Sequence, residues 1–246
     1  MPLLATLVFF FSVAQALPEL SDRIRVEKVH GPKDVQVIRA AGGKEENVNA
    51  GDMLFVGDTV ITVPGQIVQL SAFDKSSWAI APGTRLKLES RKPDAKSLFY
   101  WTFNLVKGAM WGEVPKAENA KDGFRLKVKT KHAAMGIRGT EYLLGGDEKL
   151  STLDVLDGTV WWGKSADFAE GSYKEVKAGQ HAEMGPDGNV TVHSSSGDKE
   201  ALAKHYGVVP GQVSGTPAPK QSTREECTAQ GLGWKSANGS NKGECF

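Results

Sequence analysis

Turn-forming dipeptides recur along this chain at short intervals, and no other feature constrains its fold as tightly. Gly42-Gly43, Gly57-Asp58, Pro64-Gly65, Pro82-Gly83, Asp122-Gly123, Gly145-Gly146, Asp157-Gly158 and Asp187-Gly188 each separate short apolar runs. Asp-Gly between such runs is a strong hairpin signal, because both residues tolerate positive φ. The runs are four to seven residues long and rich in Val, Ile, Leu and aromatics. They include Val35-Gln36-Val37-Ile38, Thr59 to Thr62, Ile67 to Leu70, Trp78-Ala79-Ile80, Arg85 to Leu88, Phe124 to Thr130, Glu141 to Leu144, Leu153 to Leu156, Thr159 to Trp162 and Val190-Thr191-Val192. Short strands at spacings of about eight to twelve residues predict an all-β domain. The 28 glycines among 246 residues fit that many tight turns.

Helical signals are few. Asp198 to Tyr206 predicts one short helix. Thr223-Arg224-Glu225-Glu226 has the pattern of a capping box. Between them, Pro210, Pro217 and Pro219 with Gly and Ser read as a linker. The expected organisation is a β domain at 22–193, a helix and Pro/Gly/Ser linker at 194–222, and a small tail at 223–246.

The N-terminus predicts export. Leu3 to Val13 are apolar and Ala14-Gln15-Ala16 has the small-x-small form of a cleavage site, so 1–16 reads as a signal peptide. The apolar run is too short to span a bilayer, and no later segment is long and apolar enough to do so. No membrane-spanning helix is expected in the mature chain. The expected location is periplasmic or secreted. In an exported chain, Cys227 and Cys245 read as one local disulfide closing the tail. A loop of about eighteen residues gains on the order of 3 kcal/mol by chain entropy.

Charge narrows the function. Thirty basic residues oppose 29 acidic ones, whereas nucleic-acid binding usually needs a marked basic excess. No nucleic-acid partner is expected. Gly-x-Ser-x-Gly, His-Glu-x-x-His and phosphate-cradling glycine loops are all missing from the sequence. His30, His132, His181, His193 and His205 are dispersed. His181 and Glu183 would share one strand face, but two ligands do not make a metal site. The chain therefore reads as non-enzymatic, with no metal and no cofactor.

From Phe124 to Tyr142 the sequence is more specific. Leu126 and Val128 alternate with Arg125, Lys127, Lys129 and Lys131, the period of a half-buried strand. The strand runs into Ala134-Met135-Gly136-Ile137-Arg138-Gly139-Thr140-Glu141-Tyr142. Upstream, Val48 to Thr62 follows the pattern V-x-x-G-x-x-L-x-x-G-D-x-V-x-T. Val37 to Gly43, Gly108 to Val114, Val155 to Val160 and Ala178-Gly179-Gln180 complete a series of phrases in order. Over about 150 residues this series resembles the FecR-like domain, named for a periplasmic regulator of ferric citrate uptake.

The resemblance implies a twisted, solenoid- or sandwich-like all-β module outside the cytoplasmic membrane. In the name-giving regulators that module follows a transmembrane helix and a cytoplasmic segment controlling a sigma factor. An export leader in that place, and a Cys-closed tail, set this chain apart. Sigma-factor control is not expected to carry over, whereas the fold and a protein-recognition or scaffold role in the cell envelope are.

Individual residues divide between fastening the fold and meeting a partner. Gly57 and Asp58 form a turn that the Asp side chain can lock through backbone N–H groups, the alternative being a calcium ligand or catalytic acid. Gly136, Arg138, Gly139, Thr140 and Glu141 form the motif around Arg138. That arginine is expected to act as an internal fork that hydrogen-bonds carbonyls or pairs with a carboxylate such as Glu141 or Asp58, or else to bind a carboxylate or phosphate. Arg125, Lys127, Lys129, Lys131, Trp161 and Trp162 form the candidate partner surface. Adjacent Trp161 and Trp162 must point to opposite sides of a strand, so one is core and the other faces outward. An envelope protein is the expected partner. A glycan stacked on the tryptophans is the alternative, and a degenerate sensor of iron-uptake signalling is a third reading.

Overall fold

Apolar alternation builds the strands, and their order is set by pairing across two layers. The computed structural model describes residues 23–72, 74–90, 101–116, 126–164 and 173–208, together with the backbone of 234–236 and 243–245. The leader at 1–16, Phe124, Arg125, the capping box at 223–226, Cys227 and the Cys245 side chain lie outside the described residues, as does the linker from 209 to 222. The Cys227–Cys245 expectation therefore falls outside them too.

The elements follow in chain order. The N-terminal half contains β1 (Arg23–His30), β2 (Val35–Ile38), β3 (Glu45–Val48), β4 (Met53–Phe55), β5 (Thr59–Ile61), β6 (Ile67–Ala72), β7 (Ser77–Ile80) and β8 (Arg85–Ser90). A long central strand follows, β9 (Trp101–Val114). The C-terminal half contains β10 (Leu126–Lys129), β11 (Ala134–Ile137), β12 (Thr140–Gly146), β13 (Ser151–Asp157), β14 (Thr159–Gly163), β15 (Tyr173–Lys177), β16 (Gln180–Met184) and β17 (Val190–Ser194). Helix α1 (Lys199–His205) and the hairpin β18 (Trp234–Ser236) and β19 (Gly243–Cys245) end the series.

One layer runs β4-β1-β6-β7-β9-β12-β13-β16-β17. The other runs β3-β2-β5-β8-β9-β10-β11-β14-β15. All of these pairings are antiparallel except β9 with β10, which is parallel. The fold is all-β with a short helix after the strands, as the turn spacing predicts.

Strand β9 belongs to both layers. Its first half pairs β8 and β10, and its second half pairs β7 and β12. The change of layer falls at Gly108, whose φ is 100°. A Cβ at this position would stand 2.3 Å from Thr84 Oγ1. Thr84 closes the bend by accepting from the Ala109 amide and donating to the Ala109 carbonyl, both at 3.1 Å. Lys107-Gly108 interrupts the apolar period, which conceals a single strand of this length in the sequence.

The inner faces of the two layers meet in one core. Trp78 from the first layer packs edge-on against Phe103 from the second, with ring centroids 4.9 Å apart. Ile24, Val37, Val60, Leu86, Leu126, Met135, Leu144, Val160 and Trp162 share that cluster. Gly112 lies between two large rings, opposite Trp78 on one side and Tyr142 on the other. A Cβ there would stand 2.3 Å from the Tyr142 ring. We expect Gly112→Ala to cost about 2 kcal/mol by overpacking, read as a lower urea midpoint. A midpoint equal to that of the native chain would refute this account of the row.

A second cluster covers the outer face of the first layer. Helix α1 starts at Asp198, whose side chain accepts from the Glu200 and Ala201 amides. Ala203, Tyr206 and Val208 then pack with Ala79, Trp111 and Leu143. A seven-residue helix has little stability of its own, so this packing is what holds it.

Candidate functional site

The second layer carries the candidate surface on its outer face. Leu126 and Val128 are buried in the core, which turns Lys127 and Lys129 outward. Cross-strand register extends that face in two rows. One runs Thr102, Lys127, Gly136, Trp161 and Glu175. The other runs Asn104, Lys129, Ala134, Gly163 and Tyr173. Five strands at the usual spacing make each row about 19 Å wide.

Small residues occupy the middle of both rows. Gly136, Ala134 and Gly163 form a floor between the lysines of β10 and the aromatic residues of β14 and β15. Trp161 stacks on Tyr173, with centroids 4.6 Å apart and planes inclined by 16°. Lys129 pairs with Glu89, which also accepts from the Asn104 side-chain amide at 3.0 Å. Burial works against the charged form of Glu89, but the bonds from Lys129 and Asn104 hold its carboxyl below the usual value.

The other residues proposed for this surface fall elsewhere. Trp162 is fully buried and belongs to the core, which removes it from the partner surface. Alternation along β14 sends its ring inward as it sends Trp161 outward. Trp78, Trp101 and Trp111 are buried as well. Lys131 lies beyond the end of β10, in the turn to β11, and pairs with Glu148.

The turn motifs hold the fold together, through partners the sequence does not suggest. Gly57 has φ 92°, and a Cβ there would stand 2.5 Å from the Ala40 Cβ. Asp58 is 2% exposed and accepts from the Ala40 and Phe55 amides, both at 3.0 Å. Its ionic partner is Arg39, at 2.7 Å, rather than Arg138. Glu141 pairs with Lys199 of α1 at 2.6 Å. Among the described residues, neither carboxylate expected for Arg138 pairs with it, and Arg138 itself is half-buried. Gly139 has φ 58°, and Thr140 Oγ1 donates to the Arg138 carbonyl at 3.0 Å.

A polar junction beneath α1 had only a faint sequence signal, the His181-x-Glu183 pair. Asp154 of β13 is 1% exposed. It accepts from Ser195 Oγ at 2.6 Å and from the Tyr206 hydroxyl at 2.9 Å, and it contacts His181 Nδ1 at 2.8 Å. His181 Nε2 lies 3.3 Å from Glu183. The hydrogen bond to Asp154 raises the His181 pKa above its ordinary value despite partial burial. Burial would raise Asp154, but its three hydrogen-bond partners outweigh it and hold the carboxyl low.

Ser, His and Asp meet here without forming a nucleophilic relay. Ser195 donates to the aspartate, and both His181 nitrogens face carboxylates, so no base addresses the hydroxyl. Among the described residues, no group of three or more His, Cys, Asp or Glu is arranged to hold a metal ion.

Residues 58–161, from the Asp58 turn to Trp161, match the family model described as FecR protein. That segment, less than half of the chain, is similar to a FecR domain. The matched region includes the whole of β9 and the Arg138 block, and it ends on the outward tryptophan. Two crystal structures of a candidate anti-sigma factor from Parabacteroides distasonis, at 1.65 and 2.50 Å, superpose with TM-scores of 0.47 and 0.46. Their identities to this chain are 13% and 14%, over 60% and 59% of this chain and 64% and 62% of theirs. The chain thus spans less than two thirds of the length of those structures. No curated protein matches it. FecR domains are typically periplasmic, and no helix among the described residues is long and apolar enough to cross a membrane.

Proposed function

We propose that this chain is an exported, non-enzymatic FecR-domain protein that recognises another protein in the bacterial cell envelope. The observation that carries the reading is the Trp161–Tyr173 stack on the outer face of the second layer, beside Lys127 and Lys129. A stacked pair is held in place before binding, so its area costs little entropy to present. Aromatic anchors flanked by polar residues are the usual energetic centre of a protein interface. The lysines favour a partner surface carrying acidic residues.

A glycan is the second reading, because a half-buried indole face also stacks on sugar rings. The two are separated by one pair of measurements. Purified protein is used to capture partners from envelope extract and, in parallel, is sedimented with peptidoglycan. We expect a protein captured by the native chain and lost with Trp161→Ala, at an unchanged melting temperature. Sedimentation with glycan alone, abolished by Trp161→Ala, would reject protein recognition in favour of the glycan reading. A link to iron-uptake signalling predicts altered expression of uptake genes on deletion, and unaltered expression would end it.

A further inference from the structure

At one end of the sandwich, turns from both layers border a half-open cavity of about 260 Å³. Lys129 reaches it from the end of β10, Lys131 and His132 from the β10–β11 turn, Lys164 from the end of β14, and Gly185 and Gly188 from the β16–β17 turn. Every ionisable side chain among the described lining residues is basic. The volume lies just below the range of about 300–1,000 Å³ usual for drug-sized ligands. It suits a small group, or the charged end of a larger molecule.

The basic residues are held by their surroundings. In the β10–β11 turn, the Thr130 amide donates to the Ala133 carbonyl at 2.8 Å, and Thr130 Oγ1 accepts from the Ala133 amide at 3.0 Å. His132 Nε2 lies 3.0 Å from the Glu148 carbonyl, so that nitrogen carries the hydrogen. Lys164 lies across Gly188, where a Cβ would stand 3.0 Å from both its Cδ and its Nζ. The glycine makes room for the lysine, and a side chain at 188 would push the ammonium away.

Nearby carboxylates are partly committed elsewhere. Glu89 also accepts from Asn104, and Asp187 is bound by the Asn189 amide and side chain. The Lys131–Glu148 pair is largely exposed, with side chains 49% and 78% accessible, and pairs of that kind are weak. An incoming anion competes with them on favourable terms.

We propose that this cavity binds a phosphate-type oxyanion. Its cations are ammonium groups arriving from separate turns, with a histidine between them. No arginine fork of the kind that matches a planar carboxylate is among the described lining. Compact donors from several directions match a tetrahedral oxyanion. Two sources share that chemistry, a soluble phosphate or phosphomonoester and the headgroup of an anionic phospholipid.

The test is a titration of the full chain with inorganic phosphate at constant ionic strength, followed by backbone amide chemical shifts. Saturable shifts are expected at Lys131, His132, Lys164 and Gly188. Lys164→Gln and Lys131→Gln should each weaken binding by up to about fivefold, the size of one exposed ion pair. Lys174→Gln, on β15 and outside the lining, should leave it unchanged. Vesicles containing phosphatidic acid assign the source. Binding that inorganic phosphate displaces points to a headgroup, and phosphate binding without vesicle binding points to a soluble ligand. Absence of saturable shifts, or equal binding by native chain and Lys164→Gln, would overturn the proposal.

Discussion

Arg39→Ala is expected to destabilise the fold by about 3 kcal/mol, the range for breaking a buried ion pair by removing one partner. Arg39 joins three places in the N-terminal half of the chain. Its Nη1 donates to Asp58 Oδ2 at 2.7 Å and to the Met53 carbonyl at 3.2 Å, and its Nε donates to Glu46 at 2.8 Å. Asp58 keeps the Ala40 and Phe55 amides after the change, so its carboxylate is not wholly stranded. That places the effect at the lower end of the range. Glu46 is the control, because its side chain is 37% exposed and an exposed pair contributes only about 0–1 kcal/mol. Urea unfolding of Arg39→Ala and Glu46→Gln measures both. Equal midpoints for the two variants would sink the argument, as would a loss confined to Arg138→Ala.

Asp154→Ala is expected to cost roughly 3–5 kcal/mol, because it removes the shared acceptor of a buried network. Ser195 loses its bond, Tyr206 loses one of two, and His181 loses the partner that raises it. The helix should loosen first, since its Tyr206 anchor is cut and a helix of this length depends on packing. Hydrogen exchange at the Tyr206, Gly207 and Val208 amides reports that loosening. Protection equal to that of the native chain would show that packing on Trp111 and Leu143 holds α1 by itself.

The same junction makes stability depend on pH. His181 is raised above its ordinary 6.5 when folded, so its contribution is complete below that value. The contribution is lost as pH rises through the folded value. Asp154 is lowered from 3.8, so its contribution is present above 3.8 and is lost as pH falls through the folded value. The junction is therefore strongest in mildly acidic solution. His181→Asn should flatten the decline in melting temperature on the alkaline side of 6.5. A decline of unchanged slope would assign it to another group.

Much of the strand set was legible because strands and tight turns are local. Val35–Ile38 is a strand over the predicted residues, and the Asp157-Gly158 turn separates β13 from β14. That Trp161 and Trp162 face opposite ways follows from period two alone, whereas the packing decided that Trp162 is the buried one. Strands β1, β3, β11 and β15 were not anticipated, and neither was the full length of β9. β15, for instance, buries only Val176, too few apolar residues to show a period. The Arg138 motif drew attention as an arginine between glycines, yet the arginine that fastens Asp58 is Arg39, in a stretch with no such mark.

The sequence by itself determined the all-β class, the short helix after the strands, the family resemblance and which face of β10 turns inward. These depend on residues a few positions apart, where alternation and turn chemistry act directly. The tertiary structure decided how β9 joins two layers, which cation meets Asp58, and how Lys127, Gly136 and Trp161 come to share one row. It also brought Asp154 to Tyr206, 52 residues away. Such contacts depend on strand order and register across the layers, which are properties of the whole packed chain and leave no short-range trace.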